Sequence, residues 1–110
     1  MGLFGKKKKE NVPADKERYA RVLNYIKIDA INGKPLETFF WEYSKQRKGL
    51  FAGKLEIIYL EEGGYEVFAH GATYQTKTTQ IHISVEAGKN YILGAGILED
   101  DTEGLYFEER

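Results

Sequence analysis

Between Gln80 and Val85 polar and apolar residues alternate without a break, Ile81, Ile83 and Val85 on one side and Gln80, His82 and Ser84 on the other. A period of two sorts side chains onto the two faces of a β-strand, one buried and one solvated, and no helix sorts them this way. The rest of the chain repeats the theme less cleanly. Val22 to Ile31 places Ile26, Ile28 and Ala30 on one face against Tyr25, Lys27 and Asp29, then runs into Asn32-Gly33, a pair that accepts the positive φ angles of a type I′ turn. Thr38 to Tyr43 is β-branched and aromatic, and Lys54 to Leu60 is expected to turn Leu55, Ile57 and Tyr59 inward. Glu61-Glu62-Gly63-Gly64 reads as a turn before a strand over Tyr65 to Ala69, and Tyr74 to Thr79 as a solvated strand. Ala87-Gly88-Lys89 leads into Tyr91 to Leu98, where Gly94 and Gly96 leave room for a bulky aromatic or a close neighbouring strand. Leu105-Tyr106-Phe107 adds an edge strand. The spacing predicts an all-β domain over residues 20–110, a mostly antiparallel sandwich of about six or seven strands, preceded by a flexible basic tail over residues 1–19.

Composition agrees with this and removes several classes of function. Of 110 residues, 14% are aromatic, eight of them Tyr, and twelve are Gly, which suits strands and tight turns more than helices. There is no Cys, so disulfide scaffolds, Cys-ligated zinc and thiol catalysis are excluded. No apolar run approaches the roughly 18 residues of a membrane-spanning helix, and the N-terminal lysines are not followed by the apolar stretch of a signal peptide. The expected location is cytoplasmic, or alternatively the inner face of a membrane. The net charge of −1 offers no excess of cations for binding nucleic acid. It conceals an asymmetry, with Lys6 to Lys9 near one end and Glu99, Asp100, Asp101, Glu103, Glu108 and Glu109 near the other.

Three segments taken together carry a family likeness: Ile28-Asp29-Ala30-Ile31-Asn32-Gly33, Leu50 to Tyr59, and Ile81 to Tyr91. In that order they resemble small bacterial β-sandwich domains of the PEGA-like and carboxypeptidase-regulatory-like type. Those domains show a strand ending in an Asp-Gly turn, a strand after Pro-Gly-Lys, and a late Ala-Gly turn into a Tyr-containing strand. The resemblance implies an immunoglobulin-like or transthyretin-like sandwich, and because its motifs are turn and core positions it implies a fold and no activity.

Candidate chemistry is sparse. Gly49 to Leu55 has three residues between its glycines and Leu55 after Lys54, where a phosphate-binding loop needs four and a hydroxyl. The acidic run from Glu99 to Gly104 lacks the ligand spacing of a calcium loop. His70 and His82 are the only imidazoles and stand twelve residues apart, which leaves a small metal-dependent hydrolase as a remote alternative. The expectation is therefore a non-enzymatic protein with no cofactor, no metal and no catalytic residues, acting as a binding or protein-interaction module. Its candidate site is the aromatic and basic strip Phe40, Trp41, Tyr43, Lys45, Arg47 and Lys48, residue types that dominate binding hot spots and stack on sugars. The partner would be a protein or a carbohydrate, although Trp41 is equally the residue that would fill the core of a small sandwich. A second candidate is the N-terminal group Leu3, Phe4, Lys6, Lys7, Lys8 and Lys9, which suits contact with an anionic membrane surface. The strand at Leu105 to Phe107 makes dimerisation by edge pairing a further expectation.

Overall fold

The computed structural model describes residues 10–47, 54–70, 78–97 and 103–110. Leu3, Phe4, Lys6 to Lys9, Lys48, the turn at Ala52-Gly53, the stretch Tyr74 to Lys77 and the acidic residues Glu99 to Asp101 lie outside them, as do the side chains of Lys45 and Arg47. The described residues form β1 (Ala20–Asn24), β2 (Lys27–Ile31), β3 (Phe40–Arg47), β4 (Lys54–Leu60), β5 (Gly63–His70), β6 (Thr78–Val85), β7 (Asn90–Ile97) and β8 (Glu103–Glu109). Short 3₁₀ turns occupy Lys16–Arg18 and Leu36–Thr38. One sheet has the order β3-β4-β1-β7-β8 and the other β2-β5-β6, and the two pack as a sandwich. Every pairing among these strands is antiparallel except β1 with β7. Among the described residues no helix is long and apolar enough to cross a membrane.

The all-β sandwich is as the alternation predicts, and its finer differences have identifiable causes. The expected single strand from Val22 to Ile31 breaks at Tyr25-Ile26, and its halves enter different sheets. The break is made by Asn24, which is 2% exposed. Its side-chain amide donates to the Ile26 carbonyl at 2.7 Å and to Glu56 Oε1 at 3.0 Å, while its side-chain oxygen accepts from the Ile26 N–H at 3.2 Å. The side chain satisfies the backbone that leaves the ladder, so the chain turns without orphaning a buried polar group. Beyond β2, Asn32 at φ 51° and Gly33 at φ 76° form the expected two-residue turn, closed by reciprocal Ile31–Lys34 backbone bonds of 2.8 and 2.9 Å.

The core lies between the sheets. Ala20, Val22, Ile58, Leu60, Tyr91 and Leu93 of the larger sheet face Ile31, Val67, Ala69, Ile83 and Val85 of the smaller. In β6 the inward and outward sets are those the alternation assigns. In β4 they are reversed: Ile58 and Leu60 enter the core, while Leu55 and Tyr59, expected to face inward, lie buried on the opposite side of the sheet. Lys54 to Leu60 is apolar at both parities, and such a strand carries no mark of which face meets the second sheet. The space beside Gly94 and Gly96 is filled by Tyr106. A Cβ built on Gly94 would lie 2.5 Å from the Tyr106 hydroxyl, so the ring requires glycine there.

Residues 10–19 belong to the domain. Asn11 forms a two-bond bridge with Trp41 of β3, its N–H donating at 3.0 Å and its carbonyl accepting at 2.8 Å, and Pro13 is buried. The predicted boundary at residue 19 therefore moves to Glu10 or earlier. An edge strand has backbone groups to satisfy, and residues 10–13 do so without any apolar periodicity that could announce it.

Trp41 is 1% exposed. It pairs with Ile58, which in turn pairs with Val22, and its ring meets Tyr43 edge-on at 5.0 Å. Trp41→Ala should cost about 3–5 kcal/mol, the usual loss for removing a buried large aromatic. Chemical denaturation checks this, and a loss below about 1 kcal/mol would show that the indole is not packed as described.

Candidate functional site

The face of the larger sheet that turns away from the smaller one is built of register rows. Phe40, Tyr59, Arg21 and Asn90 line up across β3, β4, β1 and β7, and the Arg110 N–H extends the row by donating to the Asn90 carbonyl at 2.8 Å. One step along the strands, Glu42, Ile57, Leu23, Ile92 and Glu108 form the next row. The result is a cleft of about 700 Å³ with an apolar floor of Leu23 and Ile57 and a rim of Lys16, Arg21, Glu42, Asn90 and Arg110.

The charges on that rim are unequal. Glu42 is engaged twice, accepting a short hydrogen bond from the Tyr59 hydroxyl and pairing with Lys16 Nζ at 3.4 Å. Burial pushes the Tyr59 hydroxyl above its ordinary pKa, and its bond to Glu42 and that carboxylate's charge add to the shift, against Lys16 and Arg21. Lys16 is raised in turn, first by Tyr59 and then by Glu42, and its ammonium sits 5.9 Å from the Tyr59 ring centroid. Arg21 and Arg110 have no ion-pair partner among the described residues. Three cations thus face one carboxylate that is already occupied.

A guanidinium presents a planar fork that matches a carboxylate or phosphate bidentately. One exposed pair of this kind is worth at most about 1 kcal/mol, so a single arginine on a wet surface holds nothing. Two arginines lining one cleft beside an apolar floor give an anion two such contacts in place of one. The arrangement can hold an anionic group, and no covalent step follows from it.

The residues predicted for the site divide. Phe40 lies on this outer face, half-buried, with Tyr19 edge-on at 5.4 Å. Its ring and those of Tyr19, Phe39 and Tyr65 wall a smaller cleft of about 300 Å³ that Tyr59 also lines. Trp41 is in the interior and unavailable as a contact residue, which corrects its place in the strip. Tyr43 borders the main cleft at the irregularity in β3, and its N–H donates to the Glu10 carboxylate at 2.7 Å. Lys16, Arg21, Glu42, Asn90 and Arg110 were not anticipated. They come from separate elements: Arg21, Glu42 and Asn90 carry only the signal of a polar residue at the solvent parity of a strand, and Lys16, in the first 3₁₀ turn, and Arg110, after β8, carry not even that.

His82 belongs elsewhere, on the outer face of the smaller sheet. Its Nδ1 pairs with Glu66 Oε2, and Gln80 Nε2 donates to the other carboxylate oxygen at 2.6 Å. The bond from Gln80, and then that from His82, hold the Glu66 carboxyl below its usual range. His70 stands opposite Thr78 in the register, four residues along β5 from Glu66. No family model, curated protein or solved structure matches this chain.

Replacing Glu42 tests the Lys16–Glu42–Tyr59 group. Because the carboxylate holds the Tyr59 pKa up, Glu42→Gln should lower it, and the proton should leave at lower pH than in the parent protein. Ultraviolet difference titration of the tyrosines above pH 9 reads this, and an unchanged curve would remove Glu42 from the group.

Proposed function

We propose that this protein is a non-enzymatic binding module that recognises an anionic group, carboxylate or phosphate, displayed by a protein or carbohydrate partner. The observation that supports this is that Arg21 and Arg110 stand in one row on either side of Asn90, beside the Leu23–Ile57 floor, while Glu42, the one carboxylate among the described lining residues, is already bound by Tyr59 and Lys16. Both arginines are exposed, so each contact contributes at most about 1 kcal/mol and the two together give weak affinity, suited to a reversible contact. The likeness to PEGA-like and carboxypeptidase-regulatory-like domains stays part of the proposal, supported by the Asn32-Gly33 turn and by Gly88 at φ +81° before the Tyr91 strand.

Titration of the labelled protein with citrate, inorganic phosphate and a tetraglutamate peptide tests the reading. Saturable NMR shifts are expected at Arg21, Asn90 and Arg110, weakening as salt is raised. Arg21→Gln should abolish most of the response while leaving the melting temperature within about 2 °C. If all three probes leave these signals unmoved, the outer-face cleft is not an anion site.

A second reading, attachment to the inner face of a membrane through Leu3, Phe4 and Lys6 to Lys9, is favoured by where the chain enters the fold. Glu10 and Asn11 are hydrogen-bonded to Tyr43 and Trp41 along the outer edge of β3, which they cover. In sequence the four lysines immediately precede Glu10. Lysines near an anionic surface contribute about 1 kcal/mol each. The full chain should co-sediment with phosphatidylserine-containing vesicles more than a chain lacking residues 1–9, and equal sedimentation would exclude this attachment.

A further inference from the structure

A sheet edge is a row of unpaired backbone donors and acceptors, and stable proteins cover it, charge it or bend it. The two sheets present four edge strands, β3 and β8 in one and β2 and β6 in the other. Three are protected. On β3, Asn11 bridges Trp41 and the Glu10 carboxylate takes the Tyr43 N–H. On β2, five residues long, Lys27 and Asp29 are exposed and the register shifts between Ile28 and Ala30. On β8 the strand begins at Glu103 and ends at Glu108-Glu109.

The fourth edge has none of these devices. β6, Thr78–Val85, is eight residues long with no charge and no proline, and it pairs with β5 in unbroken register from Gly63–Val85 to His70–Thr78. Among the described residues no main-chain hydrogen bond joins its other side to anything. β8 comes alongside it from the other sheet without joining the ladder. Ile81 is only half-buried at this rim, where Ile83 and Val85 further in are 2% and 3% exposed.

We propose that β6 is the interface of a homodimer, in which two copies pair β6 against β6 in antiparallel fashion and join their smaller sheets into one six-stranded sheet. Self-pairing about a two-fold axis is isologous, so each copy needs only the one patch. β6 has no Lys, Arg, Asp or Glu, and its one ionisable side chain, His82, is held against its own Glu66, so self-pairing avoids the like charges that the glutamates at both ends of β8 would impose there. Parity limits the register, because opposed residues share a face and inward residues must meet inward residues. The register centred on His82 satisfies this over residues 79–85, with His82 facing the His82 of the second copy. It sets Ile81 against Ile83 of the second copy, covering the half-buried rim, and Gln80 against Ser84, leaving each His82 with its own Glu66.

Sedimentation velocity on the full chain from 10 µM to 1 mM, with amide exchange of residues 78–85, tests the proposal. A concentration-dependent dimer is expected, in which the β6 amides that do not bond β5 gain protection as concentration rises. Gln80→Lys with Ser84→Lys, both at exposed positions, sets two lysine pairs across the interface and should weaken dimerisation roughly tenfold. Because the chain has no Cys, single variants Gln80→Cys, His82→Cys and Ser84→Cys report the register without removing the interface, and cross-linking by a short bismaleimide should peak at position 82. A monomer at 1 mM overturns the proposal. So does a dimer insensitive to the two lysines that cross-links through Tyr106→Cys instead, since β8 would then be the edge in use.

Discussion

The two-sheet architecture depends on the side chain of Asn24. It receives the Ile26 N–H and donates to the Ile26 carbonyl and to Glu56 while almost wholly buried. These bonds satisfy the backbone where the chain leaves the larger sheet. There β1 lies at the centre between β4 and β7, and β2 becomes an edge of the smaller sheet. Burying the backbone of a bend is costly unless each group is paired, and one amide meets that requirement here. The core between Val22, Ile58 and Leu93 on one side and Val67, Ile83 and Val85 on the other follows from this crossing.

The same geometry creates the candidate site. A five-stranded sheet covered on one face by three strands keeps its other face, and there Leu23, Leu55 and Tyr59 are buried without contribution from the second sheet's core. Tyr59 joins the two environments. Its ring is packed beside Phe40 and its hydroxyl engages Glu42, which draws in Lys16 from the 3₁₀ turn preceding β1. That capture occupies Glu42, the one carboxylate among the described lining residues, and leaves Arg21 and Arg110 without an ion-pair partner among the described residues.

Much of the fold was legible residue by residue. Asn32-Gly33 specifies its turn because few other pairs tolerate two positive φ angles in succession. The β6 pattern specifies both faces of its strand, and Gly94 implies the aromatic that Tyr106 supplies. Lys54 to Leu60 was legible as a strand but not as to its facing, because apolar residues occupy both parities. Residues 10–13 were illegible because their role is to satisfy a neighbour's backbone, a property that resides in no side-chain pattern. The aromatic strip was half readable: Phe40 and Trp41 are adjacent, so one had to be exposed more than the other, and nothing local says which.

What the sequence determined by itself is the class of structure and the kinds of chemistry excluded, since alternation with a period of two, turn-forming glycines and the absence of Cys each act locally. Tertiary structure decided which face of β4 meets the second sheet, that Trp41 is interior, that residues from separate elements converge around one cleft, and that only β6 keeps an uncharged, unpaired edge among the described strands. The physical reason is common to all four. Strand pairing connects residues tens of positions apart, and the register of that pairing, which no local signal encodes, sets each side chain's neighbours.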